Sequence, residues 1–247
     1  MGIDGLKVDE INSKVPQYWS VIVTEETGST QIDLAENFIA QRVLVAEYQS
    51  AGRGRLDRKF EVPAKQGLTF SFAITDKYFP NNANLIPLIT GLAVANAINK
   101  YASTELVTLK WPNDLMIKDE KLGGILSQRV PEGFVVGVGI NVYQSKSELP
   151  IPKATSLALH LEQTEIDRSR LLIELLQELG KQLNAAEATR SKQINNYREL
   201  CRTIGQNVSA TLPDGKVVED LAIGISEDGS LLLRSREIRV ADIVHLR

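Results

Sequence analysis

The segment best suited to chemistry runs from Glu47 to Lys59 and reads Glu-Tyr-Gln-Ser-Ala-Gly-Arg-Gly-Arg-Leu-Asp-Arg-Lys. Its two glycines allow backbone N–H groups to turn toward a bound anion, and its three arginines and one lysine add positive charge. The apolar run over residues 43–46 predicts a strand that ends at this loop. A cradle for a carboxylate or a phosphate and a merely solvated basic loop are equally good interpretations of this segment taken alone.

Other polar side chains stand where predicted strands end. Asn113 and Asp114 follow Lys-Trp-Pro, Lys121 precedes Leu-Gly-Gly, and Asn141 closes an apolar strand. Each has a simpler explanation on its own, such as an Asn-Asp turn or an exposed hairpin lysine, although an aspartate at such a break is also a candidate Mg²⁺ ligand. Together they describe a site that binds anions without an acid–base histidine. Such a site suits nucleotidyl transfer, in which positioning and charge stabilisation provide most of the catalysis.

Two hydroxyl residues, Ser29 and Thr30, precede a predicted helix that extends to about residue 39. Residues of this type cap helix N-termini through their side chains, and that is the prediction made here. The functional alternative is that the same hydroxyls bind a polar ligand at the start of the helix.

Composition excludes several classes of protein. The 247 residues allow one large domain or a large and a small one, and the net charge of −3 argues against a dedicated nucleic-acid-binding protein. One cysteine, Cys201, and two histidines, His160 and His245, leave little material for a disulfide framework, a zinc site or a histidine triad. No P-loop is present, and the dinucleotide fingerprint is incomplete. The absence of a signal-peptide core and of an apolar run of membrane-spanning length predicts a cytoplasmic protein without a membrane segment.

The elements that would position these residues alternate between helix and strand. The patterns predict strands over 19–24, 43–47 and 68–75, a buried helix over 85–101, a meander of strands between 107 and 142, and helices over 167–190 and 194–201. From residue 203 onward the chain consists of short strands with two Asp-Gly turns, which predict hairpins of a small β-barrel. The predicted domains are therefore residues 1–202, which hold the site, and 203–247.

Four blocks occur here in the order and spacing of biotin protein ligases: the Glu47–Lys59 segment, Lys-Trp-Pro-Asn-Asp-Leu at 110–115, Lys-Leu-Gly-Gly-Ile-Leu at 121–126 and Val-Gly-Ile-Asn-Val at 138–142. The chain resembles that family over roughly residues 20–247. The resemblance implies a mixed α/β sheet with helices, like that of class II aminoacyl-tRNA synthetases, and a small SH3-like C-terminal β-barrel. It also implies a two-step reaction. Biotin and Mg²⁺-ATP form biotinyl-5′-AMP, and a carrier-protein lysine then takes the biotin and releases AMP.

The resemblance assigns roles by matching positions. Its catalytic residues are Lys121, Arg53 and Arg55. Its biotin-binding positions are Ser29, Thr30, Gln31, Gln49, Gly52, Arg53, Gly54, Arg55, Lys121 and Gly124. Its ATP- and adenylate-binding positions are Asn113, Asp114, Lys121, Asn141 and Thr155, with Asp114 as the Mg²⁺ ligand. Two positions depart from the family pattern: Ala154 replaces a tryptophan found in some relatives, and Asp57 replaces a frequent glycine.

The implied partners are ATP, Mg²⁺, biotin as substrate and a biotin carboxyl carrier protein of acetyl-CoA carboxylase, with a homodimer as a further expectation. No specific DNA and no membrane are expected as partners. The first predicted strand begins by residue 19, so we expect no helix-turn-helix domain and no repressor function. Two alternatives stay open. One is a lipoate or octanoyl ligase of the same superfamily, against which the Gly-Arg-Gly-Arg loop argues. The other is a non-enzymatic nucleic-acid binder, which would need aromatic residues interleaved with the arginines.

Overall fold

The computed structural model describes residues 3–55, 58–80, 82–161 and 166–246. The helices are α1 (Val8–Lys14), α2 (Thr30–Glu36), α3 (Leu85–Ala102), α4 (Arg168–Leu183) and α5 (Arg190–Leu200). The strands are β1 (Ser20–Thr27), β2 (Arg42–Gln49), β3 (Gly67–Ile74), β4 (Thr108–Lys110), β5 (Asp114–Ile117), β6 (Glu120–Val130), β7 (Gly133–Asn141), β8 (Asn207–Thr211), β9 (Val217–Ile225), β10 (Leu231–Leu233), β11 (Glu237–Ile238) and β12 (Asp242–His245).

The larger of two sheets has seven strands in the order β1-β2-β3-β7-β6-β5-β4. Strands β1 and β2 run parallel, with Val21 opposite Val43, and the other neighbours are antiparallel. All eight residues of β3 are buried, which fits its central place between β2 and β7. The predicted mixed sheet with helices is confirmed.

The two faces of this sheet have different roles, and β7 shows the division. Its residues Phe134, Val136, Val138 and Ile140 join the main hydrophobic core, to which α3, α4 and α5 also contribute. Val135 instead packs on the opposite face against Leu34 of α2. Because alternate residues of a strand share a face, the odd-numbered residues of β7 beyond Val135 also lie on the α2 side. That face is the one free to form a site.

The smaller sheet has five antiparallel strands in the order β11-β10-β9-β8-β12, as the Asp-Gly turns predicted. Its turn glycine at 229 has φ of 85° and lies against α3, and the Trp111 indole donates a hydrogen bond to the Gly229 carbonyl at 2.9 Å. Leu109 and Val208 belong to the same hydrophobic core, which therefore continues from one sheet to the other. The division into domains 1–202 and 203–247 stays a prediction.

Four helices differ from the sequence-based expectation. Helix α2 ends at Glu36 rather than at about residue 39, and α5 begins at Arg190 rather than at residue 194. Helix α1 was not predicted, because Ile11 is its only buried residue and seven residues carry little periodicity. Helix α4 ends at Leu183 rather than at residue 190. The side chain of Asn184 donates to the Gly180 carbonyl at 2.9 Å, which satisfies a terminal acceptor, and the extended Ala186 then interrupts the helix before α5 begins at Arg190. At the other end, the Asp167 side chain caps α4 by accepting a hydrogen bond from the Arg170 N–H.

A buried ion pair anchors the end of β2. Glu47 and Arg168 are 2.6 Å apart, and each side chain is 2% exposed. Removing two charges from water is costly, and additional hydrogen bonds compensate. Glu47 also accepts from the Leu6 N–H, and Arg168 also donates to the carbonyls of Gly67 and Asp4. The pair thereby ties the N-terminal segment, β2, β3 and α4 to one another.

Candidate active site

A cavity of about 340 Å³ lies on the α2 side of the large sheet. It has the size expected of a site for a small ligand. Twelve of the fourteen site residues predicted from the sequence line it: Ser29, Thr30, Gln31, Gln49, Arg53, Gly54, Arg55, Asn113, Asp114, Lys121, Gly124 and Asn141. The other two, Gly52 and Thr155, are not among the lining residues. Segments far apart in sequence thus meet around one volume.

Glycines make the floor of the cavity flat. Gly137 and Gly139 are the residues of β7 that follow Val135 on this face, and both line the cavity. A Cβ at Gly139 would lie 2.4 Å from the ring of Phe60, which also lines the cavity. The close approach of an aromatic ring to the strand backbone therefore requires glycine at this position. Neither Phe60 nor these two glycines was predicted as a site residue.

A polar corner forms where α2 begins. Gln49 accepts hydrogen bonds from both the backbone N–H and the hydroxyl of Thr30, at 2.8 and 3.0 Å. The same hydroxyl lies 2.8 Å from the Ser71 hydroxyl. Ser29 occupies the N-cap position but makes no capping hydrogen bond through its side chain, so the prediction that Ser29 or Thr30 caps the helix is wrong. Gln49 from the neighbouring strand satisfies that helix terminus instead, which leaves the buried Ser29 side chain beside the cavity.

Gln31 braces the corner against the sheet. Its side-chain amide donates to the Leu126 carbonyl of β6 at 2.9 Å, and Leu126 itself lines the cavity. The side chain is only 4% exposed, so its orientation is fixed by this bond. The corner therefore offers hydroxyl and amide groups in fixed positions to a polar ligand.

The Gly-Arg segment folds into a small hairpin over the cavity. The Phe60 N–H donates to the Gly52 carbonyl at 3.0 Å, and the Gly54 N–H donates to the Arg58 carbonyl at 2.7 Å. A Cβ at Gly52 would lie 2.3 Å from the Phe60 carbonyl oxygen, so any side chain there forces the two strands of the hairpin apart. Gly52 therefore allows the two strands of the hairpin to approach each other, and it is not among the residues that line the cavity. The expectation concerning Asp57 falls outside the described residues.

Contacts with the second sheet hold this hairpin in place. Arg55 donates to the Asn113 side-chain oxygen at 3.2 Å and to the Ala241 carbonyl at 3.3 Å. Burial lowers the pKa of Arg55 below its ordinary value. Arg58 forms an ion pair with Asp242 at 2.5 Å. The sequence contained no indication of these C-terminal partners, because they follow the loop by more than 180 residues.

A second charged pair faces the hairpin. The Lys121 ammonium lies 2.5 Å from the Asp114 carboxylate, with 34% and 20% of the two side chains exposed. A Cβ at Gly124 would lie 3.6 Å from the Lys121 ammonium nitrogen, an ordinary van der Waals contact, so Gly124 borders the Lys121 side chain. Lys110, opposite Asp114 in the β4–β5 ladder, also lines the cavity, and burial lowers its pKa. The cavity is therefore lined by several cations and by two carboxylates, Asp114 and Asp242, that are already in ion pairs.

Hydrogen bonds of Asn141 and Thr155 fix a further part of the cavity boundary, the segment that contains Ala154. The Asn141 amide donates to the Thr155 carbonyl at 3.0 Å, and its oxygen accepts from Gln144 at 3.0 Å. Thr155 is fully buried and its hydroxyl lies 2.6 Å from His160. These bonds fix the segment that places Ala154 in the lining. The structure thus brings Asn141 to the cavity, whereas the buried Thr155 is not part of the lining.

The side chains that line the cavity can hold a magnesium ion only if the substrate provides most of the ligands of the ion. Within the described residues no three of the histidine, cysteine, aspartate and glutamate side chains cluster as a metal site. Asp114 and Asp242 are the carboxylates that line the cavity, and they are held by Lys121 and Arg58 respectively. Mg²⁺ often binds through one or two carboxylates plus phosphate oxygens, and Asp114 suits that arrangement.

Comparison with known proteins agrees with this geometry. The model of the biotin/lipoate A/B protein ligase family matches residues 15–145, and that of the biotin protein ligase C-terminal domain matches residues 203–239. A biotin–[acetyl-CoA-carboxylase] ligase of Mycobacterium tuberculosis is 34% identical over 237 residues, which cover 91% of this chain and 88% of the relative. The bifunctional ligase/repressor BirA of Escherichia coli is 29% identical, with 85% and 67% covered.

Solved structures show the same similarity. The biotin protein ligase of Aquifex aeolicus in complex with biotin and ATP has a TM-score of 0.79 to this chain at 29% identity, covering 92% of this chain and 99% of that one. The fold and site define a member of the biotin/lipoate A/B protein ligase family, to which this chain belongs. Within the family it is an ATP-dependent biotin protein ligase, with biotin and ATP as its substrates. In the described part of the chain no helix is long and apolar enough to cross a membrane.

Proposed function

We propose that this chain joins biotin to ATP as biotinyl-5′-AMP and then transfers the biotinyl group to a lysine of a biotin carboxyl carrier protein. The observation that carries the proposal is the convergence of the Gly-Arg hairpin, the Lys121–Asp114 pair and the polar corner on one cavity. A polar corner, a flat glycine floor and a cluster of cations match the three parts of the adenylate: a polar ring head, an acyl chain and a phosphate.

Binding of biotin uses the corner and the floor. The hydroxyls and amides of Ser29, Thr30, Gln31 and Gln49 hydrogen-bond the ring head, since their positions are fixed by one another and by β6. The acyl chain extends from this corner past Gly137 and alongside the Phe60 ring, which itself packs directly on Gly139. The carboxylate then reaches Lys121 and the hairpin cations.

The first chemical step is an in-line displacement at the α-phosphorus of ATP. A biotin carboxylate oxygen attacks phosphorus, the bond from phosphorus to the bridging α–β oxygen breaks, and pyrophosphate leaves with that electron pair. Lys121 exchanges Asp114 for the carboxylate and the α-phosphate, and Arg55 and Arg53 face the same charge. Fixed cations in a partly dehydrated site stabilise developing negative charge more than they would in water. Mg²⁺, when bound by Asp114 and the phosphates, supplies further charge neutralisation.

The second step transfers the acyl group. A neutral lysine amine of the carrier protein attacks the carbonyl carbon of the mixed anhydride, the bond from that carbon to the phosphate oxygen breaks, and AMP leaves. The amine loses one proton as the amide forms. The hairpin shields the anhydride from water until the acceptor arrives, because its backbone bonds and its two arginine contacts hold it over the cavity. Asn141 positions the Ala154 segment that borders the adenine.

The decisive experiment is incubation with biotin, ATP, Mg²⁺ and a biotin carboxyl carrier domain, followed by an avidin blot. We expect biotinylation that depends on ATP and is abolished when the acceptor lysine is replaced by arginine. A second assay, pyrophosphate exchange into ATP, is expected to depend on biotin and to be absent with lipoate or octanoate. Exchange driven by lipoate alone would move the assignment to the lipoate ligases.

The wider partners also belong to this proposal. The acceptor we propose is the carrier subunit of acetyl-CoA carboxylase, in line with what the M. tuberculosis relative is said to act on. A homodimer, a cytoplasmic location and the absence of specific DNA binding stay predictions. Sedimentation with and without biotinyl-5′-AMP tests the first, and a gel shift with the promoter of a biotin gene tests the last.

A further inference from the structure

The cations around the cavity are not equally engaged. Arg55, Arg58, Lys59 and Lys121 each form a hydrogen bond or ion pair with another described residue. Arg53 also has a partner. Among the lysine and arginine side chains of the lining, that of Lys110 alone forms neither with any residue that the structure describes. The Lys110 ammonium is therefore the lining cation that can pair with an anion of a bound ligand.

The surroundings of Lys110 explain why its charge is unbalanced. Asp114 and Asp242 are the carboxylates whose fields act on it, and both are already bound, to Lys121 and Arg58 respectively. Those two cations repel Lys110 in turn. The side chain is half-buried, so water solvates the ammonium only in part. A partly dehydrated cation without a counter-ion raises the free energy of the empty site, and an anion that binds there recovers it.

The position of Lys110 in the cavity indicates which anionic group of the substrate it binds. It ends β4, two strands from the β6 residue Lys121, and its neighbour in the cavity is the Arg58–Asp242 pair. Under the proposed function, Lys121 meets the biotin carboxylate and the α-phosphate. The part of ATP that extends beyond the α-phosphate carries most of its negative charge. Of the lining residues beyond Lys121, Lys110 is the cation available to receive it.

We infer that Lys110 binds the β- and γ-phosphates of ATP and the pyrophosphate that leaves. This inference rests on the proposed function and deepens it. In the displacement step the electron pair of the broken P–O bond stays on pyrophosphate, and the Lys110 ammonium hydrogen-bonds the oxygens that gain this charge. Lys110 keeps its proton throughout. Transfer of biotin from the finished adenylate to the acceptor does not involve it.

The test separates the two half-reactions in Lys110→Met, which removes the charge and keeps the length, and in Lys110→Arg, which keeps the charge. Lys192→Met, on the exposed face of α5, is the matched control. Loss of a charge-assisted hydrogen bond is expected to raise both the KM for ATP and the inhibition constant of pyrophosphate by roughly tenfold to a hundredfold in Lys110→Met. The KM for biotin and the transfer rate from supplied biotinyl-5′-AMP are expected to stay within about twofold of wild type. Lys110→Arg is expected to retain most of the affinity for both phosphates.

Unchanged constants for ATP and pyrophosphate in Lys110→Met would overturn the inference, and so would a defect confined to the transfer half-reaction. A wild-type protein without biotin-dependent pyrophosphate exchange would instead overturn the proposed function. Thermal unfolding with inorganic pyrophosphate gives a reading that needs no turnover. The Tm of wild type and Lys110→Arg is expected to rise with pyrophosphate, whereas that of Lys110→Gln is not, and an equal rise in all three would contradict the role of Lys110.

Discussion

Arg58 of the hairpin donates both of its terminal nitrogens to the carboxylate of Asp242, at 3.5 and 2.5 Å. Asp242 begins the strand β12 of the small sheet, and the preceding residue, Ala241, accepts from Arg55 through its carbonyl. The hairpin that covers a cavity in one sheet is thus held by the other sheet. The C-terminal sheet is part of the site and lines it through Asp242 and Ile243.

Replacing Asp242 with asparagine is expected to speed the escape of biotinyl-5′-AMP. The side chains of Arg58 and Asp242 are 63% and 31% exposed, so solvent weakens the pair, and a coupling of about 0.2–1 kcal/mol is expected. This corresponds to a release rate raised by roughly one-and-a-half- to fivefold, measured by trapping free adenylate in a stopped-flow assay.

A double-mutant cycle with Arg58→Gln provides the control for that prediction. If the pair acts as a unit, the double variant releases adenylate no faster than either single variant. Asp214→Asn removes an ion pair of the same sheet away from the cavity, that of Asp214 with Lys216, and is expected to leave release unchanged. Additive effects of the two substitutions would show that Asp242 does not act through Arg58.

Lys121→Ala is expected to slow adenylate formation severely while the fold survives. The Lys121–Asp114 pair is partly exposed, so its loss is expected to cost at most about 1 kcal/mol of stability. Removing a fixed cation from the reacting charge is expected to lower the single-turnover adenylation rate by roughly a hundredfold to a thousandfold. Rapid quench of the first turnover measures the rate, and urea unfolding measures the stability. Adenylation at the wild-type rate would refute the role of Lys121.

Gly52→Ser is expected to weaken retention of the adenylate more than it weakens the fold. A side chain there meets the Phe60 carbonyl oxygen at 2.3 Å, so the hairpin must open, whereas the sheet and core are untouched. We expect adenylate release to rise by roughly tenfold, because a clash this close costs about 1–3 kcal/mol. Gly28→Ser is the matched control, since a Cβ at Gly28 meets nothing within 4 Å. Equal release rates in the two variants would remove the close approach at Gly52 as the cause.

Stability is expected to fall as the pH drops through the ordinary pKa of histidine. Burial, with a contribution from Lys110, holds the pKa of His245 below its ordinary value of 6.5. The unfolded chain therefore binds this proton more readily than the folded chain, and protons favour unfolding. His245→Asn is expected to flatten the dependence of the unfolding free energy on pH between about 7 and 5, measured by urea titration at each pH. A slope as steep as that of wild type would show that His245 does not cause it.

Much of the fold could be predicted because the apolar pattern and the turn residues of most elements match the structure that they form. Helix α3 is apolar nearly all round and lies buried between the sheet and α4, and the two Asp-Gly turns fall where the small sheet needs them. Helix α1 could not be predicted, because a single buried residue, Ile11, defines no periodicity.

Some residues of the site could be predicted from the sequence and others could not. Motif residues such as Lys121 and Arg55 are recognisable because unusual residue types occur at fixed spacing. Phe60 and Asp242 are ordinary residues whose importance comes only from what the chain brings near them, a glycine strand in one case and an arginine of the hairpin in the other. Thr155 is a third case: the resemblance assigns it to the nucleotide, its fully buried side chain is not part of the cavity lining, and its role stays a prediction.

The buried pair of Glu47 and Arg168 also provides a fixed reference point for spectroscopy. It holds Asp4 to the end of β2, only a few residues before the hairpin starts. A fluorophore on an Asp4→Cys side chain, which is exposed, would therefore stay still while the hairpin moves. The chain's one cysteine, Cys201, is buried, so labelling would be selective. Energy transfer to a second label at Lys59 would then report hairpin opening directly, in real time, through each half-reaction.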